Sequence, residues 1–360
     1  MPVPKHPSSF VPAAGCLDSI PRVRILILKL GALGDVVRTS YLLPGLHTRF
    51  GPGTSITWVT ASGALPLLRF NPYVSQLISI DQCKAQTALI GLCADPYEWV
   101  ISLDDEIESC GLATQVSAKR ISGAYVASDA IHYTDDSRPW FDMGLISRFG
   151  KTKADQLKIE NGLSHDAILG NMLGIAIEQP SFFNNPTSEA LARTMLHPLP
   201  RRIVGLNLSA GKRWPSKALR LDEAFALIDQ LKAMGATCLL LGGRDDAAYL
   251  DAIATKRAVH LIRDLSLDEF ASVIRGLDLL ITSDTLALHL AIAQGVLSVS
   301  YYAPTSAAEI NTFGAGAKVA SLSSDYCSYR PDADNSTITA ERLLPEVRTL
   351  LARRDKEMTQ

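Results

Sequence analysis

Nowhere among the 360 residues is there an unbroken apolar run approaching the roughly 18 that a membrane-spanning helix needs, so none is expected. The six cysteines, at 16, 83, 93, 110, 238 and 327, contain no CxxC pair and no metal-ligand spacing. That disfavours a disulfide framework or a zinc site, and a reduced, cytosolic chain is expected. Seven histidines lie far apart, and neither HExxH nor a GxSxG elbow occurs, which removes two common hydrolase arrangements. GxxxxGK[ST] is missing as well, so a P-loop nucleotidase is not expected. Formal net charge is −2, and nothing overall marks a nucleic-acid binder.

What is present suits two ordinary domains. Hydrophobic residues make up 47% and charged residues 20%, enough apolar material for two cores. Residues 1–21 carry Pro2, Pro4, Pro7, Pro12 and Pro21 without helical periodicity and read as a flexible tail. Ala13-Ala14-Gly15-Cys16 resembles a lipoprotein cleavage site, but no apolar core of about 7–15 residues precedes it, so a secretion signal is not expected. Apolar runs at 23–30, 55–60, 75–80, 98–103 and 120–126 alternate with helical patterns at 35–49, 62–69, 84–92 and 106–117. The second half repeats this, with strands expected at 202–208, 236–241, 258–262, 278–282 and 297–302 and helices at 221–234, 245–256, 267–275 and 285–294. Such alternation predicts parallel sheets covered by helices on both faces. A long helical pattern at 155–176, a proline-rich linker at 178–200 with a short helix at 187–196, and a terminal helix at 338–354 complete the reading.

Three polar turns stand at carboxyl ends of expected strands, where doubly wound sheets bind ligands. The first is Gly31-Ala32-Leu33-Gly34-Asp35. Its GxxG spacing is not the dinucleotide fingerprint, but glycines there let backbone N–H groups approach a ligand. Asp35 at a helix start is favoured as a carboxylate, as a general base must be; the alternative is a simple N-cap. The second turn, Ser209-Ala210-Gly211-Lys212-Arg213-Trp214, combines hydroxyl, N–H and cation in a way that suits a diphosphate, the alternative being a solvated basic loop. In the third, Thr282-Ser283-Asp284-Thr285, Ser283 or Asp284 is expected to cap the helix that carries His289, leaving N–H groups for an anion. Asp284 and His289 are five apart, off one helical face, so no direct pair is expected. Asp245 and Asp246, after Gly242-Gly243, suit either a ribose or a turn and helix cap.

Taken together, RILILKLGALGDVVRTSYLLPGL, NLSAGKRWPSKAL and LLITSDTLALHLAIAQGVLSVSYYAPTS resemble glycosyltransferase family 9, the ADP-heptose:lipopolysaccharide heptosyltransferases, over about residues 23–352. The resemblance implies an α/β fold of two Rossmann-like, doubly wound domains facing across a cleft, the GT-B arrangement. Residues 22–177 would bind the acceptor and 201–337 the nucleotide sugar, with 178–200 as linker and 338–360 as C-terminal helix and tail. It implies inverting, metal-independent transfer of heptose from ADP-heptose to a lipopolysaccharide core or related glycan, with no cofactor and no nucleic-acid partner. Asp35 would be the general base. Ser209 and Lys212 would hold the donor phosphates, with Ser283, Asp284, Thr285 and His289 around the helix start and Asp245 or Asp246 near the ribose. Arg38, Lys119, Arg120 and Arg138 would meet an anionic acceptor, surface charge being the alternative for the last three. A cytoplasmic location is implied, with any contact at the inner face of the inner membrane peripheral.

Two departures stand out. Leu286 occupies the place where the family commonly has glycine, and the segment 325–334 carries Cys327 without partner cysteines. The competing readings are a nucleotide-sugar epimerase or hydrolase, which needs a second acid near Asp35, a transferase of another sugar or acceptor, and a non-catalytic nucleotide-sugar binder.

Overall fold

The structure, a computed structural model, describes residues 23–84, 86–143 and 146–358. The expected tail at 1–21 lies outside them.

Ile25 to Leu28 are all fully buried, a continuous run rather than an alternating one. That is the signature of a strand covered on both faces. It forms β1 (Val23–Leu28), followed by β2 (Thr54–Thr60), β3 (Gln76–Ser79), β4 (Tyr97–Ser102), β5 (Ala118–Ala127) and β6 (Ala130–Tyr133). Their order is β3-β2-β1-β4-β5-β6, parallel except for the β5–β6 hairpin. The second sheet comprises β7 (Ile203–Asn207), β8 (Thr237–Gly242), β9 (His260–Arg263), β10 (Leu279–Ser283), β11 (Ser298–Tyr302) and β12 (Gly316–Ala320). It is parallel throughout, in the order β12-β11-β10-β7-β8-β9. In each sheet the winding reverses at one place, between β1 and β4 and between β7 and β10. Crevices open at the carboxyl ends of such switch points.

Several local expectations needed revision. The β5–β6 hairpin turns at Ser128 and Asp129, with φ of 47° and 59°. Two left-handed residues make the turn type that suits a tight hairpin, but Ser-Asp is not the Asn-Gly that signals it. β12 has no alternating pattern and was not anticipated either. The helix expected at 35–49 is two, Leu33–Thr39 and Leu42–Phe50, and the pattern at 155–176 splits into Lys151–Glu160 and His165–Leu173. In the linker region the helix Pro186–Leu196 starts on proline, with Asn185 accepting a hydrogen bond from the Thr187 N–H at 2.9 Å.

The two lobes share an apolar seam. One buried cluster runs from Ile25, Trp58 and Leu169 in the first to Leu239, Leu280 and Leu290 in the second. At its edge the helix Leu33–Thr39 meets the helix Leu286–Ala293. Contact is close because Gly34 has no side chain: a Cβ there would lie 2.5 Å from His289 Cδ2 and 3.2 Å from Nε2. The Tyr41 hydroxyl donates to the His289 carbonyl at 3.3 Å. A helix at Ala340–Met358 closes the second lobe, burying Leu343, Val347 and Leu351. Among the described residues no helix is long and apolar enough to cross a membrane.

Candidate active site

The switch points of the two sheets face each other, and between them lies a cavity of about 520 Å³. That is within the usual range for small-molecule sites. One wall is the start of the helix Leu33–Thr39, and the others are the turns after β7, β8 and β10. After β7, Ser209 lines the cavity, and its buried Oγ has no partner among the described residues. A buried hydroxyl left unpaired is costly unless something else satisfies it. The β7 turn is strapped to the β8 turn by Asp246, whose carboxylate accepts from the Gly211 N–H at 2.9 Å and the Gly243 N–H at 3.4 Å. Gly211 has φ of +65°, which glycine adopts without strain. Asp245, the other candidate, is exposed and does not line the cavity.

After β10, Thr285 is the N-cap of the helix Leu286–Ala293, and its hydroxyl donates to Asn207 Oδ1 at 3.2 Å. Neither Ser283 nor Asp284 caps this helix. Leu286 and Ala287 line the cavity, and their N–H groups have no partner among the described residues. The positive end of the helix dipole therefore faces the space. Asp284 works sideways. Its Oδ2 pairs with Lys217 Nζ at 3.2 Å and its Oδ1 with His289 Nε2 at 3.4 Å, and Lys217 also donates to the Asp284 carbonyl at 2.5 Å. The expectation of no Asp284–His289 pair was therefore wrong. Helical spacing does not apply, because Asp284 precedes the cap and bends back over the first turn. Burial acts upward on the Asp284 carboxyl, but Lys217 and then His289 outweigh it and hold it well below the usual carboxylate range. The lysine lining the cavity is Lys217, with Arg213 and Trp214 beside it, whereas Lys212 is exposed and outside the lining. Leu265, Leu267 and Phe270 supply an apolar wall.

Asp35 is the third residue of its helix, whose N-cap is Ala32, so it is not the cap. Its Oδ1 accepts from Arg38 Nε at 2.9 Å and pairs with Nη2 at 2.7 Å. Burial is the largest influence on it and acts upward, yet Arg38, Lys29 and His289 together hold the carboxyl below its ordinary value. It is ionised at neutral pH.

A second cavity, about 270 Å³, adjoins on the first lobe, and Asp35 and Arg38 line both. This one also holds a buried Lys29–Asp104 ion pair, Trp140, Lys158 and His165 from the first lobe, and Glu309 and Tyr329 from the second. None of these was named as a site residue from sequence, though Tyr329 lies in the segment 325–334 marked there as a departure. Lys29 interrupts the apolar run before Gly31, and Asp104 follows β4 beside the switch point, so the strand-end rule applied to β4 would have found that pair. Three expected acceptor contacts fall elsewhere. Lys119 and Arg120 lie at the start of β5, the opposite end from the switch point, paired with Glu98 at 2.7 Å and Asp136 at 2.8 Å. Arg138 is exposed and pairs with Asp135 at 2.8 Å. None lines either cavity.

The sequence profile of glycosyltransferase family 9 (heptosyltransferase) matches residues 90–337. The chain belongs to that family. It is a glycosyltransferase, and the facing switch points are the family 9 architecture of two Rossmann-like lobes, GT-B. A family 9 glycosyltransferase of Veillonella parvula has a similar structure, with 19% identity, TM-score 0.73 and coverage of 93% of this chain and 98% of that one. The E. coli ADP-heptose lipopolysaccharide heptosyltransferase II gives 16% identity and TM-score 0.66, over 92% of this chain and 100% of that one. E. coli heptosyltransferase WaaC, solved with ADP, gives 17% and 0.59 over 91% and 100%. At these identities the likeness is one of fold. No curated protein sequence matches the chain. Among the described residues no group of three or more His, Cys, Asp or Glu is placed to hold a metal ion.

Proposed function

We propose that this family 9 member transfers heptose from ADP-heptose, with inversion and without a metal ion, to a sugar hydroxyl of a lipopolysaccharide core or related glycan. The observation that carries the reading is the position of Asp35, a carboxylate lining both the phosphate-suited cavity and the cavity of the first lobe. In this reading the donor lies in the larger cavity, its base against Leu265, Leu267 and Phe270 and its ribose toward Asp246. E. coli WaaC, solved with ADP and with ADP-2-deoxy-2-fluoro heptose, supports that class of donor.

The acceptor hydroxyl enters from the smaller cavity and gives its proton to Asp35. Its oxygen then bonds to the anomeric carbon from the face opposite the diphosphate, inverting that centre, as the bond to the leaving oxygen breaks. Both electrons of the broken bond leave with ADP. The developing charge meets Lys217, Arg213, the Ser209 hydroxyl and the N–H groups of Leu286 and Ala287. Fixed donors aimed at charge that appears in the transition state are the most effective kind of stabilisation. Arg38 holds the carboxylate in place through its two contacts. A lipid-linked acceptor would bring the protein to the cytoplasmic face of a membrane peripherally.

Replacing Asp35 by asparagine tests this. Turnover of ADP-heptose with acceptor is expected to fall by about 10²- to 10⁴-fold, the usual contribution of a general base, while calorimetric ADP affinity stays unchanged. Parental turnover in that variant removes the reading. Incubating donor alone separates transfer from hydrolysis or epimerisation, since only the latter two consume it.

A further inference from the structure

The segment 325–334 and the loop before β12 belong to the second lobe in sequence, yet they bring Tyr329 and Glu309 into the cavity on the first. We propose that Glu309, positioned by Tyr329, is a specificity-determining residue of the acceptor cavity that accepts a hydrogen bond from a hydroxyl of an uncharged sugar. The inference rests on the reading of Asp35 as the base.

Glu309 is held at two points. Its carbonyl accepts from the His165 N–H at 2.9 Å, which docks it on the first lobe. Its Oε1 accepts from the Tyr329 hydroxyl at 2.6 Å. Tyr329 is fixed in turn by its N–H to the Pro304 carbonyl at 2.8 Å and by Lys158 Nζ, which sits 4.1 Å from its ring centroid. Cys327 and Tyr329 both have left-handed φ, 63° and 53°, uncommon for such residues and sustained here by their N–H bonds, that of Cys327 to the Ala303 carbonyl at 3.0 Å and that of Tyr329 to the Pro304 carbonyl. All of this leaves Glu309 Oε2 without a hydrogen-bond partner among the described residues. His165 Nδ1, on the same cavity, is buried and also unpartnered.

Charge then decides what fits. Lys29 is paired with Asp104 and Arg38 with Asp35, and Lys158 lies over the Tyr329 ring with Asp155 at 3.8 Å. Each of these three cations thus already has a carboxylate or a ring beside it, while Glu309 and Asp105 present carboxylates to the cavity. A carboxylate or phosphate on the reacting sugar would be taken out of water against like charge, which is unfavourable. Hydroxyls suit the free acceptor atoms, and Trp140 and Phe141 offer apolar surface to a sugar face.

The test uses the full chain with ADP-heptose and two acceptor probes, the methyl glycoside of a neutral heptose and that of a uronic acid. The parental enzyme is expected to use the neutral glycoside at least tenfold better in kcat/KM. Glu309→Gln and Glu309→Ala are expected to raise its KM about ten- to a hundredfold, the loss of one hydrogen bond to a charged group, with kcat and the donor KM little changed. Tyr329→Phe should give a smaller rise in the same constant. An unchanged acceptor KM in both Glu309 variants overturns the inference, as does preference for the acid or turnover of neither glycoside. Asp35→Asn, run alongside, separates the two readings: its retained turnover removes the base and the inference that rests on it, whereas a flat KM at Glu309 removes this inference alone.

Discussion

Gly34→Ala puts the seam between the lobes to a test in which the sign of the effect is informative. In a helix, replacing glycine by alanine ordinarily stabilises by about 0.5–1 kcal/mol. Here the new methyl would lie 2.5 Å from His289 Cδ2, well inside contact distance. His289 cannot swing aside without leaving Asp284, and it is only 5% exposed. Overpacking of this kind costs about 1–3 kcal/mol, so Gly34→Ala is expected to be neutral or destabilising. In a His289→Ala background the obstacle is gone and the same change should stabilise by its ordinary amount. The expected coupling between the two positions is about 1–3 kcal/mol, far above the roughly 0.3–0.5 kcal/mol scatter of independent sites. Denaturant unfolding of the parent, both singles and the double, followed by tryptophan fluorescence, measures it. Turnover of the same four proteins reports whether the lobes still meet. If Gly34→Ala stabilises the parent as much as the His289→Ala protein, the contact does not exist in solution, and the placement of Asp35 opposite the second lobe loses its support.

Other outcomes can be stated briefly. Lys217→Ala should weaken ADP binding by about ten- to a hundredfold in calorimetry, and Lys212→Ala by much less; the reverse order refutes Lys217 as the inner cation. Ser209→Ala should leave folding intact and weaken ADP binding, because its hydroxyl has no partner to lose among the described residues; unchanged ADP affinity removes it from the donor site. Burial, with Arg38 and Lys29, pushes buried His165 well below its ordinary 6.5, so below that pH the unfolded chain takes up a proton that the folded one refuses. Stability is thus expected to fall, by up to about 1.4 kcal/mol per pH unit, as pH drops from about 6.5 toward the folded value. His165→Phe should flatten that part of the stability curve, and an unchanged slope would show that the ring is not held neutral.

The parallel sheets were legible because buried strands announce themselves: Ile25–Leu28 and Leu279–Ile281 are apolar without interruption. So were the three turns at strand ends, since topology alone brings such ends together. What sequence did not show came from contacts between distant segments. Gly34 reads locally as a residue that lets a ligand approach, but its visible reason is His289 in the other lobe. Lys212 and Lys217 are equally basic in sequence, and only the fold turns one outward and the other onto Asp284. Arg120 reads as an acceptor contact until β5 carries it to the far end of the sheet, beside Asp136 and over the Trp99 ring at 4.1 Å. Glu309 lies in no motif at all, and its exposure to Asp35's neighbourhood depends on one lobe reaching over the other.

Asp35, with Arg38, lies where two compartments meet. If donor and acceptor take one compartment each, as proposed, bulk added to either at its remote end accumulates on its own side of Asp35, away from the bond being made. A long polysaccharide tail and a compact monosaccharide thus present the same local problem to the enzyme. Selectivity for chain length, where it exists, has to be imposed at the outer mouths of the compartments, and it can drift there without disturbing the chemistry.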